Sequence, residues 1–246
     1  MRQFGLIGKT LKHSFSKKYF SEKFENEEIA NSHYELFELA EISEIQNLID
    51  YYSDSLAGLN VTIPYKKEVM AYLDELDPKA EEIGAVNTIK ISKEGKLKGY
   101  NTDYLGFIDS LQEGWDLSGK KALVLGTGGA SEAIKRALTD LNIPFQSVSR
   151  KASESNISYE DLNGKNWVHT HHLIINTTPL GTYPDIETKP FLPYDQITDR
   201  HLLFDLVYNP EVTAFLQEGL NRGAKIKNGH KMLIGQAEAS WKIWND

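Results

Sequence analysis

The chain has 246 residues, with 27 Lys and Arg against 35 Asp and Glu, and a formal net charge of −8 at pH 7. At roughly 100–200 residues per domain this length allows one large domain or two small ones, and the acidic balance argues against nucleic acid as the main partner, since phosphates call for a basic surface. The absence of cysteine excludes disulfides, thiolate nucleophiles, iron–sulfur clusters and Cys-bound zinc.

No apolar run approaches the roughly 18 residues of a membrane span, and the opening residues are too short and too interrupted for a signal peptide. The expectation is a cytoplasmic protein, a monomer or homodimer, that acts on a small molecule and has neither a nucleic-acid nor a membrane partner.

The first hundred residues alternate strand and helix. Strands are expected at 4–8, 33–39 and 56–63, the last stopped by Pro64. Helices are expected at 17–25, at 43–52 with Ile45, Leu48, Ile49 and Tyr52 in register, and at 66–76 with Val69, Tyr72, Leu73 and Leu76 on one face. Residues 90–99 read as a hairpin turning at Glu94-Gly95. A second series starts near Leu117, with strands at 121–125, 144–149, 173–176 and 202–206 and helices at 132–141 and 212–221, the latter closed by Gly223. Residues 151–170 are polar and read as loop-rich. A last helix, 231–244, carries Ile234, Ala237, Trp241 and Trp244 on one side, a face suited to core packing. Alternation of this kind gives an α/β layered fold.

Gly126-Thr127-Gly128-Gly129-Ala130-Ser131 follows a strand and opens a helix. In that setting the first glycine makes a tight turn, the second lets backbone approach a pyrophosphate, and a small third residue, here Ser131, permits close helix–strand packing. The anion sits at the helix N-terminus, where unpaired N–H groups and the dipole favour it. NAD sites place an acid about 20 residues downstream to bind the ribose 2′-hydroxyl. Here the next strand ends Ser149-Arg150-Lys151, with no acid from Ile143 to Lys151. An acid would repel a 2′-phosphate, whereas Arg150 offers planar charged donors, Lys151 a second positive charge and Ser149 a hydroxyl. The expected cofactor is NADP.

Asn60 and Thr62, two apart on a strand, share one face, and Lys66 follows Pro64 at the expected start of the next helix. Gly84-Ala85-Val86-Asn87-Thr88 and Gly99-Tyr100-Asn101-Thr102-Asp103 are polar loops bracketing the hairpin, and His13-Ser14-Phe15-Ser16 places two hydroxyls at the same two-residue period. Each alone is more often a cap or turn. Four of them near a dinucleotide loop point to a substrate site.

The ordered set His-Ser-x-Ser, Asn-Val-Thr-Ile-Pro-x-Lys, Gly-Ala-Val-Asn-Thr, Asn-Thr-Asp, Gly-Thr-Gly-Gly-Ala-Ser and Gly-x-x-Met-Leu-x-x-Gln resembles the shikimate dehydrogenase family over essentially the whole chain. The resemblance implies an NADP-dependent oxidoreductase that reduces 3-dehydroshikimate to shikimate in chorismate and aromatic amino acid biosynthesis. It also implies two domains: an α/β substrate domain of residues 1–103 plus 227–246, and a Rossmann-type NADP-binding domain of residues 104–226. Carried over by position, it gives Ser14 and Ser16 the substrate carboxylate, and Thr62, Asn87 and Gln236 the ring hydroxyls. Lys66 and Asp103 become the catalytic pair. Gly126, Thr127, Gly128, Gly129, Ala130 and Ser131 become the phosphate loop, Ser149, Arg150 and Lys151 the 2′-phosphate readers, and Tyr208 and Gly229 the lining on the nicotinamide and substrate side. The family's usual Asn-Arg-Thr reader is replaced here by Ser149-Arg150-Lys151, and its Pro after the second serine by Lys17.

The chemistry suits these residues. Ketone reduction needs a hydride and a proton; a lysine ammonium holds its proton at neutral pH, and Asp103 can orient it. No metal is expected, because His169, His171 and His172 lack an obvious carboxylate partner and a tetrahedral site needs about four placed ligands. Tyr19 and Lys23 match a Tyr-x-x-x-Lys pattern by chance, more than 100 residues before the glycine loop.

Overall fold

A computed structural model describes residues 1–12, 14–164 and 166–246. The chain divides into two compact units, Met1–Thr102 with Ala237–Asp246, and Asp103–Gln236.

The first unit contains β1 (Arg2–Gly8), α1 (Ser16–Asn26), β2 (Ser32–Glu38), α2 (Ile45–Tyr51), β3 (Leu56–Val61), β4 (Glu75–Leu76), α3 (Pro78–Ile83), β5 (Thr88–Ile91) and β6 (Leu97–Tyr100). Its sheet has the order β2-β1-β3-β5-β6-β4. β1 runs parallel to β2 and β3, while β5 is antiparallel to both β3 and β6. The expected hairpin is present, with Gly95 in the left-handed region at φ +79°.

The helix expected at 66–76 is corrected by the structure. Only Glu68–Tyr72 is helical, as a 3-10 turn; Leu73 is extended and Glu75–Leu76 pair with β6 as an edge strand. Apolar positions at helical spacing still bury Val69 and half-bury Leu73 and Leu76. The backbone instead pairs with the neighbouring strand, with Asp74 N donating to Leu97 O at 3.0 Å and the Asp74 carboxylate accepting from Leu97 N at 2.8 Å. Just beyond lies α3, which the periodicity reading passed over although its signals are local. Asp77 caps Lys79 N, Pro78 opens the helix, and Gly84 closes it at φ +68°.

The two faces of this sheet are apolar for different reasons. One face packs Ile7, Leu59, Val61 and Ile89 against Ile45, Val69 and Ala80. The other packs Phe4, Phe20 and Tyr34 against Trp244 of the C-terminal helix. Trp244 lies so close to Gly58 that any Cβ there would come within 2.3 Å of its ring, and its Nε1 donates to Ile89 O at 3.0 Å. That contact ties the last ten residues to the first hundred.

The second unit contains α4 (Thr102–Gln112, less its first residue), β7 (Ala122–Leu125), α5 (Gly129–Asp140), β8 (Phe145–Ser149), β9 (Asn156–Ser158), α6 (Asp161–Gly164), α7 (Trp167–Thr170), β10 (Leu173–Asn176), β11 (Leu202–Asp205), α8 (Ala214–Leu220), β12 (Lys225–Lys227) and the first part of α9 (His230–Asn245). All pairs in its sheet are parallel, in the order β12-β11-β10-β7-β8-β9. β7, β10 and β11 are buried throughout, as expected for parallel strands covered on both faces. Strand order reverses at β7, which places a ligand crevice at the C-terminal ends of β7 and β10.

Three expectations change here. Residues 151–170 are not simply loop: β9, α6 and α7 lie within them, and β9 is short and polar because it is the sheet edge. α5 starts at Gly129, three residues before the expected start, because Gly128 serves as its N-cap. Residues 227–236, grouped by sequence with the first domain, cluster with the second unit. Met232 is buried beside Phe107, and a Cβ on Gly106 would come within 2.5 Å of Met232 O. No helix among the described residues is long and apolar enough to cross a membrane.

Candidate functional site

In the second unit, β7 delivers the chain into the glycine loop. Gly126 has φ +111°, a conformation that side chains resist, and a Cβ there would sit 2.8 Å from Thr177 Oγ1. Its N–H donates to Val148 O at 2.8 Å, so the turn is welded to the end of β8. Gly128 differs: a Cβ would meet nothing within 4 Å, so backbone at the mouth of a 12-residue helix borders open space. Ser131 is fully buried, and its Oγ donates to Gly128 O at 2.6 Å. Thr127 is exposed, and Gly129 and Ala130 are half-buried. A helix N-terminus with its dipole and an open glycine fit a dinucleotide pyrophosphate.

At the end of β8, Arg150 and Lys151 are exposed. Ser149 Oγ turns inward and donates to Lys151 O at 2.5 Å. Exposed guanidinium and ammonium groups one strand away from the glycine loop fit a 2′-phosphate.

The next two strand ends carry a buried polar junction that the sequence reading missed. Asn176 and Asp205 close β10 and β11 and are fully buried. Burial pushes the Asp205 carboxyl up to about 7, against hydrogen bonds from Thr213, Val207 N and Asn176 that favour the charged form. The available signal was an acid ending an apolar strand, Leu-Leu-Phe-Asp. Beyond it, Tyr208 is half-buried. Gly229 donates its N–H to Val207 O at 3.1 Å, and a Cβ on it would fall 2.0 Å from Leu206 O, so only glycine fits. Gln236, half-buried on α9, donates to Leu233 O at 3.0 Å. Asp103 is buried in the first turn of α4, where a carboxylate side chain suits the helix end.

In the first unit the polar motifs converge on one buried hub. Asn60 Nδ2 donates to Ser240 Oγ at 2.9 Å, and Thr88 Oγ1 lies 2.8 Å from the same Ser240 oxygen. Thr102 Oγ1 lies 3.1 Å from both Thr88 Oγ1 and Ser240 Oγ. Asn87 Oδ1 accepts from Thr102 N at 2.7 Å, so a side chain before β5 caps the backbone that opens α4. On the far side of Asn60, the buried Tyr34 hydroxyl donates to its Oδ1 at 2.8 Å and hydrogen-bonds Ser16. Ser16 N in turn donates to Ser14 Oγ at 3.2 Å. His13 lies outside the described residues. Sequence reading found the loops but missed Ser240, whose only signal is a small polar residue one turn before Trp244.

Lys66 is half-buried in the turn after Pro64, not at a helix start. Its carbonyl accepts from Val86 N at 2.7 Å, tethering it to the Gly84–Asn87 loop. The neighbouring Tyr65 hydroxyl, donating to Leu39 O at 2.7 Å, anchors the turn below. Thr62 is half-buried just past the end of β3.

The other singled-out groups are engaged elsewhere. Tyr19 and Lys23 both hydrogen-bond Glu238. His171 Nδ1 lies 2.8 Å from Trp167 O, and the His172 ring packs on His201 at 5.3 Å, both before the strands begin. No group of three or more potential ligands that could hold a metal occurs among the described residues. Trp241 packs on Phe4 and Phe24 within the first unit.

Residues 6–89 match the family model described as the shikimate dehydrogenase substrate binding domain. The NADP(+) shikimate dehydrogenase of Desulforamulus reducens is 36% identical over 260 residues, covering 98% of this chain and 88% of that protein. Shikimate dehydrogenase 1 of Peptoclostridium difficile superposes with TM-score 0.86 at 39% identity, covering 100% of this chain and 92% of that one. Shikimate 5-dehydrogenase of Thermus thermophilus, solved with NADP(H) and shikimate, superposes with TM-score 0.86 at 29% identity, covering 99% and 93%.

Proposed function

This chain belongs to the shikimate dehydrogenase family, an oxidoreductase that interconverts 3-dehydroshikimate and shikimate with NADP, and we propose that Lys66 and Asp103 carry the proton side of its reaction. The observation that carries the reading is the glycine loop, open at Gly128 on the N-terminus of α5.

When bound, the cofactor supplies a hydride to the ketone carbon. Gly126 to Ser131 hold its pyrophosphate, and Arg150 and Lys151 its 2′-phosphate. Lys66 gives its Nζ proton to the oxygen that becomes the alcohol, and takes it back in the oxidative direction. Asp103 accepts hydrogen bonds from ring hydroxyls. Ser14 and Ser16 bind the substrate carboxylate as donors, and Thr62, Asn87 and Gln236 orient the ring. Asn87 suits an orienting role because Thr102 already fixes its amide. Tyr208 and Gly229 line the nicotinamide side.

Ser14, Ser16, Thr62, Lys66 and Asn87 belong to the first unit, and Asp103, Gln236 and the residues assigned to NADP belong to the second. A cytoplasmic address and a small-molecule substrate, with no nucleic-acid or membrane partner, belong to the same reading, as does a monomer or homodimer; the net charge of −8 supports the exclusion of nucleic acid. The test is shikimate oxidation followed by near-ultraviolet absorbance of reduced cofactor, with NADP and NAD in parallel. Turnover with a strong NADP preference is expected. Equal use of NAD would overturn the role of Arg150, and no turnover by folded, NADP-binding protein would overturn the reaction.

A further inference from the structure

The turn from Ser149 to Asn156 is closed by its own side chains. Asn156 opens β9, and its Nδ2 donates to Ser149 Oγ at 2.6 Å and to Lys151 O at 2.8 Å. Its Oδ1 accepts from Ser153 Oγ at 2.5 Å, and its carbonyl accepts from Ser153 N at 2.9 Å. Ser149 Oγ therefore accepts from Asn156 while spending its single proton on Lys151 O. Ser149 O accepts from Tyr159 N at 3.1 Å, so the residue just after β9 pins the same position through backbone.

These bonds bracket Arg150 and Lys151 on both sides without involving their side chains. A charged pair launched from a fixed backbone loses less freedom on binding an anion than one on a free loop. We propose that Asn156 is a positioning residue for discrimination between NADP and NAD, and that Ser149 serves with it by holding the turn. The inference rests on the reading that Arg150 and Lys151 hold the 2′-phosphate. Asn156 and Ser149 act on one object, the Lys151 carbonyl, so their effects are coupled.

Calorimetric titration of the full chain with adenosine 2′,5′-bisphosphate and with AMP tests it. Asn156→Ala is expected to weaken the bisphosphate about tenfold, the added cost of ordering a rotamer-rich charged side chain on a loosened turn, with AMP affinity and thermal midpoint little changed. Ser149→Ala is expected to weaken the bisphosphate as well, and the double variant to lose no more than the larger single loss. Equal weakening of both ligands would make Asn156 merely structural and overturn the inference. So would unchanged bisphosphate affinity in Asn156→Ala while Arg150→Ala abolishes the discrimination. If Arg150→Ala keeps the discrimination, the 2′-phosphate is held elsewhere, and that reading falls together with the inference. Should Asn156→Ala fold poorly, Asn156→Ser takes its place, since it also lacks the amide, and preserved bisphosphate affinity there contradicts a shared turn.

Discussion

Asp205 Oδ1 accepts a hydrogen bond from Asn176 Nδ2 at 2.9 Å, joining the ends of β10 and β11 side chain to side chain. The same carboxylate accepts from Val207 N at 3.0 Å and from Thr213 Oγ1 at 2.6 Å, which ties down the chain leaving β11 and the cap of α8. Asn176 Oδ1 accepts from Thr178 N and Oγ1 at 3.0 and 2.7 Å, extending the junction towards the glycine loop. One buried pair thus shapes the ligand end of the second sheet.

A buried carboxyl raised to about 7 binds its proton in the folded chain over a range where the unfolded chain, near 3.9, does not. Its contribution is fully present below about pH 4 and is lost as pH rises through 7, a change on the order of 4 kcal/mol. Asp205→Asn removes this term and keeps one acceptor for Val207 N. Its thermal midpoint is expected to fall less than that of the parent chain between pH 5 and pH 8. Parallel profiles would show that Asp205 stays charged throughout.

His201 has the opposite sign. Nδ1 accepts from Thr198 N at 3.0 Å, and Nε2 donates to Val168 O at 3.0 Å, a pattern that needs the neutral ring. Burial lowers its pKa from the usual histidine value, as it does for His171 and His172. The unfolded chain takes up these protons near pH 6.5 and the folded chain resists. Stability is therefore present above pH 6.5 and falls as the pH drops through the lower folded values. His201→Gln, which still donates and accepts, is expected to flatten the midpoint curve between pH 6.5 and pH 5. A curve as steep as before would assign the slope to the other two histidines.

Ser240→Ala removes one hydroxyl from the hub it shares with Asn60, Thr88 and Thr102. A cost of about 1–3 kcal/mol is expected from groups left short of a partner in a dry site, read as a lower chemical-denaturation midpoint. AMP affinity is expected to stay unchanged, since the hub lies in the first unit and the glycine loop in the second. A wild-type midpoint would mean that the remaining hydroxyls satisfy one another.

Lys66→Ala is expected to lower turnover with shikimate by about 10²–10⁴, the usual worth of a placed proton donor. Its side chain is half-buried and the backbone bond to Val86 survives, so folding and NADP binding are expected to persist. Near-normal turnover would assign the proton to another group.

Periodicity and local signals carried much of this fold. β7, the glycine loop and α5 follow from a buried run, a turn glycine and an amphipathic helix, all within about 20 residues. Gly126 has its positive φ because its own turn demands it. The same local logic failed at residues 66–76, where helical spacing was overruled by pairing with β6. It also passed over β9 and β12, three-residue edge strands whose partners are decided elsewhere in the chain.

The polar loops around Asn60, Asn87 and Thr102 were visible as residues, but their convergence was not. Asn60 meets Ser240 across 180 positions of sequence, and Asn176 meets Asp205 across 29. Turns, caps and alternation are set by a residue and its near neighbours, so the sequence already contains them. Which buried polar atom satisfies which other, and how far a carboxyl's proton affinity rises, depend on groups that meet only once the sheets have formed, because burial and hydrogen bonding there are properties of the assembled layers.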